Sequence, residues 1–387
     1  MAVASGIVVA ILLGVVLLVF RPSSGTGGGV GLSPGLPSGI TPAGAAMLQL
    51  SVLSSSSEIH PPGFTLTDQH GRPVSLSSLK GKAVVLSFND DRCVDLCTLL
   101  AQDVLAANRD LGRAVRHVVF LSVNVNPFYP QVRYVRAWAD EHHLGGQADW
   151  VSTTGRVAEL RAIWKRYGVY VGLDRKTRTV VHSTELFFID PAGAERAVGS
   201  FGVNAANTTL FGHDLAQMVD DLLPVSQRVR VGGPTTPSPT GQDATVGARA
   251  PSFRLPRLDR PGTTLTSASW RGRYAVVDFF SGSCAACARQ LAQVEAVDRV
   301  LGGKVAFAGV STDGAGGLRV ARRAGVGFAV VGDPGGRLAR AYRIRQVPFA
   351  VIVGPRGDVV VRHPGSLSTE QLAYVLESES PGLSTGR

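Results

Sequence analysis

The sequence predicts an α/β protein made of two repeated domains, which follow an apolar helix and a flexible tether. Three observations support this class. The chain has 387 residues, more than the roughly 100–200 residues of an ordinary single domain. Short apolar segments rich in β-branched residues alternate with helix-like segments, which is typical of a central mixed β-sheet flanked by helices. This order of segments occurs twice, and each copy contains one close pair of cysteines.

The N-terminal residues 1–21 form an apolar segment that carries no charge before Arg21. As a helix, Ala2 to Phe20 would measure about 28 Å, close to the thickness of a bilayer core. No Ala-x-Ala cleavage site and no lipobox cysteine follows, so a retained transmembrane anchor or an uncleaved signal is predicted. Arg21 opposes an exported C-terminus, but one residue is a weak topology signal. We expect a single-pass protein of the cell membrane with extracytoplasmic domains.

Two stretches rich in Gly, Ser and Pro divide the remainder of the chain. Residues 22–58 are predicted to be a flexible tether, and residues 225–246 a second linker. The two domains are accordingly expected at residues 59–224 and 247–380.

The charge distribution is uneven. Residues 247–387 contain 19 Lys and Arg against 10 Asp and Glu, which gives them +9 of the formal net charge of +10. A basic half can favour anionic lipid or an acidic partner surface. The arginines are scattered along the sequence, however, and no nucleic-acid motif accompanies them. Nucleic acid is therefore not an expected partner.

The four cysteines form two tight pairs, one C-x3-C and one C-x2-C, and none is left over. A disulfide-stapled scaffold spreads its cysteines along the chain, because long closed loops gain most from a crosslink. Two close pairs instead indicate redox chemistry or the binding of a soft metal ion.

The second pair, Cys284 and Cys287, follows a strand-like run and begins a helix-like segment. Free N–H groups and the partial positive charge at a helix N-terminus stabilise a thiolate, so Cys284 is predicted to be the nucleophile. Cys287, one turn later, is predicted to be the resolving thiol. Half of a zinc site is the alternative, but the only histidine of this domain is His363 and it contains no further cysteine.

Residues 277–287 resemble the active-site strand of thioredoxins and of the extracytoplasmic TlpA/ResA-type thiol–disulfide oxidoreductases, and the similarity covers about residues 247–377. The resemblance implies that Asp278 is the buried acid that relays protons to the resolving thiol. It also implies that Pro348 is the cis-proline beside the disulfide. The usual Trp before the first cysteine is Ser283 here, and the dipeptide between the cysteines is Ala-Ala, so the redox direction stays open.

The first pair, Cys93 and Cys97, has i, i+4 spacing, which places both sulfurs on one face of a helix. Two thiolates on one face suit a soft ion, above all copper, and a nearby imidazole would complete a three-coordinate site. Asp90 and Asp91 precede this pair and are expected to face water.

The internal repeat indicates which histidine that would be. Aligning Pro191 with Pro355 in the repeated strand-and-turn segment places Thr184 at the position of Pro348. His182 then lies two residues earlier, in the loop predicted to face the cysteine pair. A histidine that begins a strand is more often structural, and the register favours a ligand here.

This domain resembles the Sco/SenC family of copper-binding thioredoxin-like proteins, which help to assemble cytochrome oxidase, over about residues 61–223. The resemblance is carried by residues 64–71, 79–82, Cys93, Asp95, Cys97 and 182–193. It implies that Cys93, Cys97 and His182 bind copper. Val94 and Thr98 replace the usual prolines, and Val181 replaces the usual acid. A peroxiredoxin is the rival, but its threonine two residues before the reactive cysteine is Asp91 here.

Together these features predict a membrane-anchored copper chaperone fused to a thiol–disulfide oxidoreductase, which supports assembly of the copper centre of cytochrome c oxidase. The client would be a protein with cysteines or a copper site. Cysteines bind copper only when reduced, and an oxidising compartment removes thiols, so the C-terminal dithiol would keep the first pair reduced. The alternatives are a general extracytoplasmic oxidoreductase with two redox modules and no metal, and a non-catalytic scaffold with unreactive cysteines.

Overall fold

The computed structural model describes residues 36–37, 39–53, 59–232, 246–301, 303–380 and 383. The predicted anchor at residues 1–21 lies outside this part of the chain. Within the described residues, no helix combines the length and apolar character that crossing a bilayer needs.

The first domain contains ten strands and five helices among the described residues. The strands are β1 (Ser51–Val52), β2 (Thr65–Asp68), β3 (Pro73–Ser75), β4 (Ala83–Asn89), β5 (Val118–Asn124), β6 (Trp150–Thr154), β7 (Val171–Asp174), β8 (Thr179–His182), β9 (Glu185–Ile189) and β10 (Glu195–Ser200). The helices are α1 (Pro42–Met47), α2 (Leu96–Leu111), α3 (Val132–Glu141), α4 (Val157–Arg166) and α5 (Thr208–Leu222).

The described part of the second domain contains seven strands and four helices. The strands are β11 (Arg254–Pro256), β12 (Thr264–Thr266), β13 (Ala275–Phe280), β14 (Ala306–Ser311), β15 (Ala329–Gly332), β16 (Phe349–Val353) and β17 (Val359–Pro364). The helices are α6 (Cys287–Leu301), α7 (Ala315–Arg323), α8 (Arg337–Ala341) and α9 (Thr369–Glu379).

The two main sheets share one core topology. The first has the order β1-β10-β9-β4-β5-β6-β2-β3 and the second β15-β14-β13-β16-β17. Strand β4 is parallel to β5 and antiparallel to β9, and β13 is likewise parallel to β14 and antiparallel to β16. The five-stranded order β6-β5-β4-β9-β10 therefore occurs again as the whole second sheet. The predicted mixed α/β fold with two repeated sheets is confirmed.

Burial explains why the central strands are so apolar. Both β4 and β13 are buried along their whole length, as expected for strands covered by packing on both faces. Alternate side chains enter different clusters: in β13, Val277 and Phe279 pack into a cluster of the second domain, and Val276 and Phe280 into a larger cluster. That larger cluster continues into the first domain, so the two sheets share one hydrophobic core.

Direct hydrogen bonds also join the domains. The backbone N–H of Arg362 in β17 donates to Asn207 Oδ1 at 2.8 Å, and Gln371 Nε2 in α9 donates to Thr98 Oγ1 at 2.6 Å. His363 is fully buried at the same contact, with Nδ1 3.0 Å from a backbone carbonyl oxygen of the first domain. The two domains thus pack against each other through polar as well as apolar contacts.

Parts of both predicted linkers have regular packing instead of the expected flexible chain. Helix α1 begins after Thr41, whose hydroxyl caps it, and β1 pairs with β10. Met47 and Leu48 are buried in the core of the first domain, which explains why this segment folds. In the second linker, the backbone N–H groups of Val229 and Arg230 donate to the carboxylate of Asp220 at 2.9 and 3.0 Å.

Candidate functional site

The first cysteine pair lies where strand β4 leads into helix α2. Strand β4 ends at Asn89, and α2 begins at Leu96 with Asp95 as its N-cap. Cys93 lies in the loop between them and is half-buried, whereas Cys97, in the first turn of α2, is only 1% exposed. Both are free thiols.

Hydrogen bonds hold Cys93 against the first turn of the helix. The backbone N–H of Cys97 donates to Cys93 Sγ at 3.1 Å, and Cys93 Sγ donates to Asp95 Oδ1 at 3.1 Å. The same Oδ1 accepts from the backbone N–H of Leu96 at 2.6 Å. Trp138 Nε1 donates to the carbonyl oxygen of Cys93 at 3.4 Å. The capping carboxylate therefore also positions one of the two thiols.

His182 reaches this pair from the hairpin of β7 and β8, which pairs Val171 with His182. Its Nε2 lies 3.5 Å from Cys97 Sγ. Its Nδ1 lies 2.8 Å from the carbonyl oxygen of Ser183. Because a carbonyl can only accept, Nδ1 carries a hydrogen and Nε2 is the nitrogen that faces the sulfur. The hydrogen bond fixes the ring in the orientation that a ligand to a soft ion needs.

The charges of this site support one another. Burial raises the pKa of Cys97, but the adjacent Cys93 thiol and the positive charge of His182 outweigh burial and lower that pKa overall. Burial lowers the pKa of His182, yet the Cys97 thiolate raises it above its ordinary value. The neighbouring Cys97 sulfur, together with burial, raises the pKa of Cys93. The site therefore favours a Cys97 thiolate beside an imidazolium, with Cys93 as a neutral thiol.

The two sulfurs and the imidazole are donors that suit a soft ion. In their present positions, however, the three side chains do not form a complete metal site. Among the described residues, no group of three or more His, Cys, Asp and Glu side chains has a geometry that would hold a metal ion. Metal–ligand bonds of about 2.0–2.3 Å, as for zinc with His and Cys, are compatible with the 3.5 Å between Cys97 Sγ and His182 Nε2. The third ligand, Cys93 Sγ, would have to exchange its bond to Asp95 for one to the ion.

Two carboxyl groups beside the pair are buried, so the expectation that they face water is wrong. Asp90 and Asp91 are 6% and 8% exposed. Asp90 Oδ1 accepts from the backbone N–H of Arg92 at 2.8 Å and from Asn126 Nδ2 at 2.7 Å. Burial and the neighbouring charge of Asp90 raise the pKa of Asp91 to about 8. The sequence predicted that these two adjacent acidic residues are solvated. Their burial depends on packing around the end of a strand, which no local sequence pattern shows.

The second pair occupies the matching place in the second sheet and is oxidised. Cys284 follows strand β13, Cys287 begins α6, and their sulfurs form a disulfide with an S–S distance of 2.07 Å. Cys284 is half-buried and Cys287 is fully buried. The more accessible sulfur is thus the one predicted to be the nucleophile.

Asp278 is fully buried in β13, and Gln290 Nε2 donates to its Oδ1 at 3.3 Å. Burial raises the pKa of Asp278 to about 8, although the bond from Gln290 favours ionisation. Its Oδ2 has no hydrogen-bond partner among the described residues. A carboxyl group that titrates near neutral pH can both give and take a proton. The peptide bond before Pro348 is cis, and β16 begins at the next residue, beside β13.

Register shows what stands at these positions in the first domain. Asp278 pairs with Ala350 in the second sheet, and Ser87 pairs with Leu186 in the first. Strands β9 and β16 have bounds that differ by the 164 residues of the sequence alignment, which makes Ser87 the counterpart of Asp278. By the same register Thr184 is the counterpart of Pro348.

The structure brings Cys93, Cys97 and His182 together at one sheet edge and brings Cys284, Cys287, Asp278 and Pro348 to the equivalent edge of the other sheet. Sequence reasoning missed three contacts at the first site: the Asp95 carboxylate, the Trp138 indole and the Ser183 carbonyl. Asp95 could have been found, because an aspartate just before an apolar helical run is typical of an N-cap. The other two depend on tertiary packing that no local pattern reveals.

The fold and these two sites define a tandem thioredoxin-like protein, with one cysteine pair at each strand-to-helix junction. Residues 54–219 match the SCO1/SenC family model, and residues 246–362 match the AhpC/TSA family model. The resemblance of the N-terminal domain to Sco/SenC is therefore confirmed, and the C-terminal domain is confirmed to resemble a thioredoxin-like family.

Two curated proteins are similar to part of the chain. Protein sco1 of Schizosaccharomyces pombe is 26% identical over 154 residues, which cover 38% of this chain and 56% of that protein. Protein SCO2, mitochondrial, of Saccharomyces cerevisiae is 25% identical over 142 residues, which cover 34% of this chain and 44% of that protein. The chain thus spans about half the length of the curated relatives it matches.

Solved structures are similar to parts of the chain. Copper-bound ScoI of Bradyrhizobium japonicum is 21% identical, with a TM-score of 0.33, and the match covers 40% of this chain and 99% of that one. A secreted Mycobacterium tuberculosis disulfide oxidoreductase is 21% identical, with a TM-score of 0.30, and the match covers 33% of this chain and 95% of that one.

Proposed function

We propose that the N-terminal domain binds copper through Cys93, Cys97 and His182 and that the C-terminal domain exchanges thiols and disulfides through Cys284 and Cys287. The observation that carries the proposal is the approach of His182 Nε2 to within 3.5 Å of Cys97 Sγ, with the other ring nitrogen held by a backbone carbonyl. Two sulfurs and one imidazole form a donor set that suits a soft ion such as Cu(I).

The contrast between the two sites supports this division of labour. At the second site, a buried acid and a cis-proline accompany the cysteines, as thiol–disulfide exchange requires in thioredoxin-like proteins. At the first site, Ser87 and Thr184 occupy those positions, and a hairpin adds His182. The first pair therefore has a third metal donor in place of the groups that would assist exchange.

A reduced first pair and an oxidised second pair are the states that an electron transfer from the second pair to the first would leave. In this step Cys284, as the thiolate, attacks the sulfur of Cys93 in a Cys93–Cys97 disulfide and forms a mixed disulfide. Cys287 then attacks the Cys284 sulfur, which forms the Cys284–Cys287 disulfide and leaves Cys93 and Cys97 as thiols. Two electrons and two protons pass to the first pair. An external dithiol would then reduce the second pair again.

The cellular role we propose follows from the family resemblance. The Cys93–Cys97 site would deliver copper to a client with cysteines or a copper site, such as a cytochrome c oxidase subunit. Residues 1–21 would anchor the chain in the cell membrane with both domains outside the cytoplasm. An oxidising compartment would convert free thiols to disulfides. The tethered C-terminal dithiol would then return Cys93 and Cys97 to the reduced state that binds copper.

Titration of the reduced protein with Cu(I) tests the metal site. We expect one Cu(I) per chain and a loss in affinity of at least about 10–100-fold in His182→Ala, since even the loss of a residue that only orients a ligand costs that much. His117→Ala is the matched control, because it removes a partly exposed histidine that precedes β5, at the end of the sheet opposite to the sulfurs.

The rival function is a general oxidoreductase with two redox modules and no metal. It predicts that wild type binds no Cu(I), or that His182→Ala binds it as tightly as wild type does. Transfer between the domains has a separate test in the full chain: when both pairs are oxidised, dithiothreitol should reduce Cys93–Cys97 faster in wild type than in Cys284→Ser/Cys287→Ser. Equal rates would contradict the proposed partnership.

A further inference from the structure

A row of hydrogen bonds connects the first cysteine pair with the C-terminal domain. Gln371 lies in the first turn of α9, and its Nε2 donates to Thr98 Oγ1 at 2.6 Å. Thr98 directly follows Cys97, and its hydroxyl donates to the carbonyl oxygen of Asp95 at 2.5 Å. Asp95 in turn accepts the thiol hydrogen of Cys93. The amide of one domain therefore holds the turn that carries both cysteines of the other.

Hydrogen bonds within the C-terminal domain also hold the start of α9. Gln290 Oε1 accepts from the backbone N–H of Leu367 at 2.8 Å, while its Nε2 donates to Asp278. Ser368 and Gln371 form a capping box, in which the backbone N–H of Ser368 donates to Gln371 Oε1 at 2.8 Å. The Gln371 side chain is therefore fixed at its oxygen before its nitrogen reaches across to Thr98.

Because the hydrogen bond between Thr98 and Gln371 is buried, it constrains the geometry of the turn that carries the cysteines. Thr98 and Gln371 are 5% and 4% exposed, so neither can replace its partner with bulk water. A buried polar group that loses its hydrogen-bond partner is left with the full free-energy cost of its desolvation. In addition, Thr98 stands where the Sco/SenC resemblance leads one to expect proline, a residue whose side chain has no hydrogen-bonding atom. The hydroxyl that receives Gln371 is thus a feature of this chain.

We propose that Gln371 is a positioning residue for the first cysteine pair, acting through Thr98, so that the C-terminal domain completes the geometry of the copper site. The measurement of Cu(I) affinity rests on the proposed copper function. The reactivity of the thiols tests the positioning role independently of copper. Gln371 thereby gives the second domain a structural role at the first site that does not depend on electron transfer.

The test uses the full chain, reduced, with Gln371→Leu and Thr98→Val. Each variant should bind Cu(I) about 2- to 10-fold more weakly in competition with a chelator, the range that corresponds to one net hydrogen bond. Alkylation of Cys97 by iodoacetamide should accelerate by a similar factor. Thr98→Ser keeps the hydroxyl and should restore both values. The double variant should be no worse than Thr98→Val alone, because Gln371 acts through the hydroxyl that Thr98→Val already removes.

Asn207→Ala is the matched control, since it removes a different interdomain hydrogen bond, the one from the backbone of Arg362. It should lower the unfolding temperature without changing the alkylation of Cys97. The proposal is wrong if Gln371→Leu and Thr98→Val leave both affinity and alkylation at wild-type values, or if Asn207→Ala changes them equally. Should Gln371→Leu not fold, Thr98→Val in the other domain decides. If wild type binds no Cu(I), the proposed copper function fails while the alkylation rates still test the positioning role.

Discussion

The two cysteine pairs occupy equivalent positions in two sheets of the same strand order, yet their surroundings differ. The second pair has Asp278 buried in the preceding strand and a cis peptide bond before Pro348. The first pair has Ser87 and Thr184 at these positions. The protein thus uses one scaffold twice and changes the chemistry through the residues that surround the sulfurs.

The largest structural difference is the hairpin of β7 and β8. It precedes β9 and ends in His182, whereas the chain between α8 and β16 in the second domain contains no strand among its described residues. The comparison teaches that an imidazole can be placed beside the cysteines of this fold by an added hairpin, without altering the five-stranded core.

The largest expected difference between the two sites appears when the predicted nucleophile, Cys284, is removed. Cys284→Ser should abolish almost all thiol–disulfide exchange with a small disulfide substrate, because the thiol that remains in that domain, Cys287, is fully buried. The rate can be followed with a coloured aromatic disulfide. Cys93→Ser is the matched control and should retain most of the activity. Loss of activity in Cys93→Ser alone would reverse the assignment of the two sites.

The two pairs should also differ in how quickly they are reduced. Dithiothreitol should reduce Cys284–Cys287 in Cys93→Ser/Cys97→Ser faster than it reduces Cys93–Cys97 in Cys284→Ser/Cys287→Ser, by about 10²-fold, the lower bound for assistance from a general acid. Mass spectrometry after quenching with an alkylating reagent measures each pair separately. Equal rates would show that Ser87 and Asp278 do not distinguish the sites.

Asp278 should make stability depend on pH. Its pKa is raised from 3.8 to about 8 by burial, so the folded state keeps a proton that the unfolded state releases above about pH 4. This contribution to stability is present at low pH and is lost as the pH rises through about 8. The free energy of unfolding of Asp278→Asn should therefore gain on that of wild type between pH 4 and pH 8, by at most about 1.4 kcal/mol per pH unit.

Urea unfolding at several pH values measures this difference. Ser87→Ala, at the equivalent position of the first domain, is the matched control, and its stability relative to wild type should not depend on pH. Parallel curves for Asp278→Asn and wild type would mean that the carboxyl group is already ionised in the folded protein.

The smallest effect is expected at Val181, which precedes His182 and is 68% exposed. The Sco/SenC resemblance leads one to expect an acid here. Because exposed substitutions change free energies by about 0.5 kcal/mol or less, Val181→Asp should alter Cu(I) affinity by only about 2-fold. A change of several orders of magnitude would show that the valine itself tunes the site.

The sequence predicted the features that depend on local pattern and on the internal repeat. Apolar runs followed by cysteines predicted two strand-to-helix junctions, and the alignment of the repeats singled out His182. This worked because register within a sheet is conserved between two copies of one fold: β9 and β16 have bounds with the same offset as the repeated turns.

Contacts between distant segments could not be predicted in this way. Thr98 and Gln371 lie 273 residues apart, and neither belongs to a motif. The burial of Asp90 and Asp91 depends on packing around a strand end, and the helix at Pro42–Met47 is stabilised by burial of apolar side chains in a segment whose composition favours a linker. In each case tertiary packing overrides a local preference.

X-ray absorption spectroscopy of the Cu(I)-loaded chain tests the central claim, that the two pairs have separate chemistries, most directly. We predict that copper has two sulfur donors and one imidazole nitrogen, and that the spectrum of Cys284→Ser/Cys287→Ser is unchanged. An all-sulfur copper site, or one that disappears when Cys284 and Cys287 are replaced, would contradict the account.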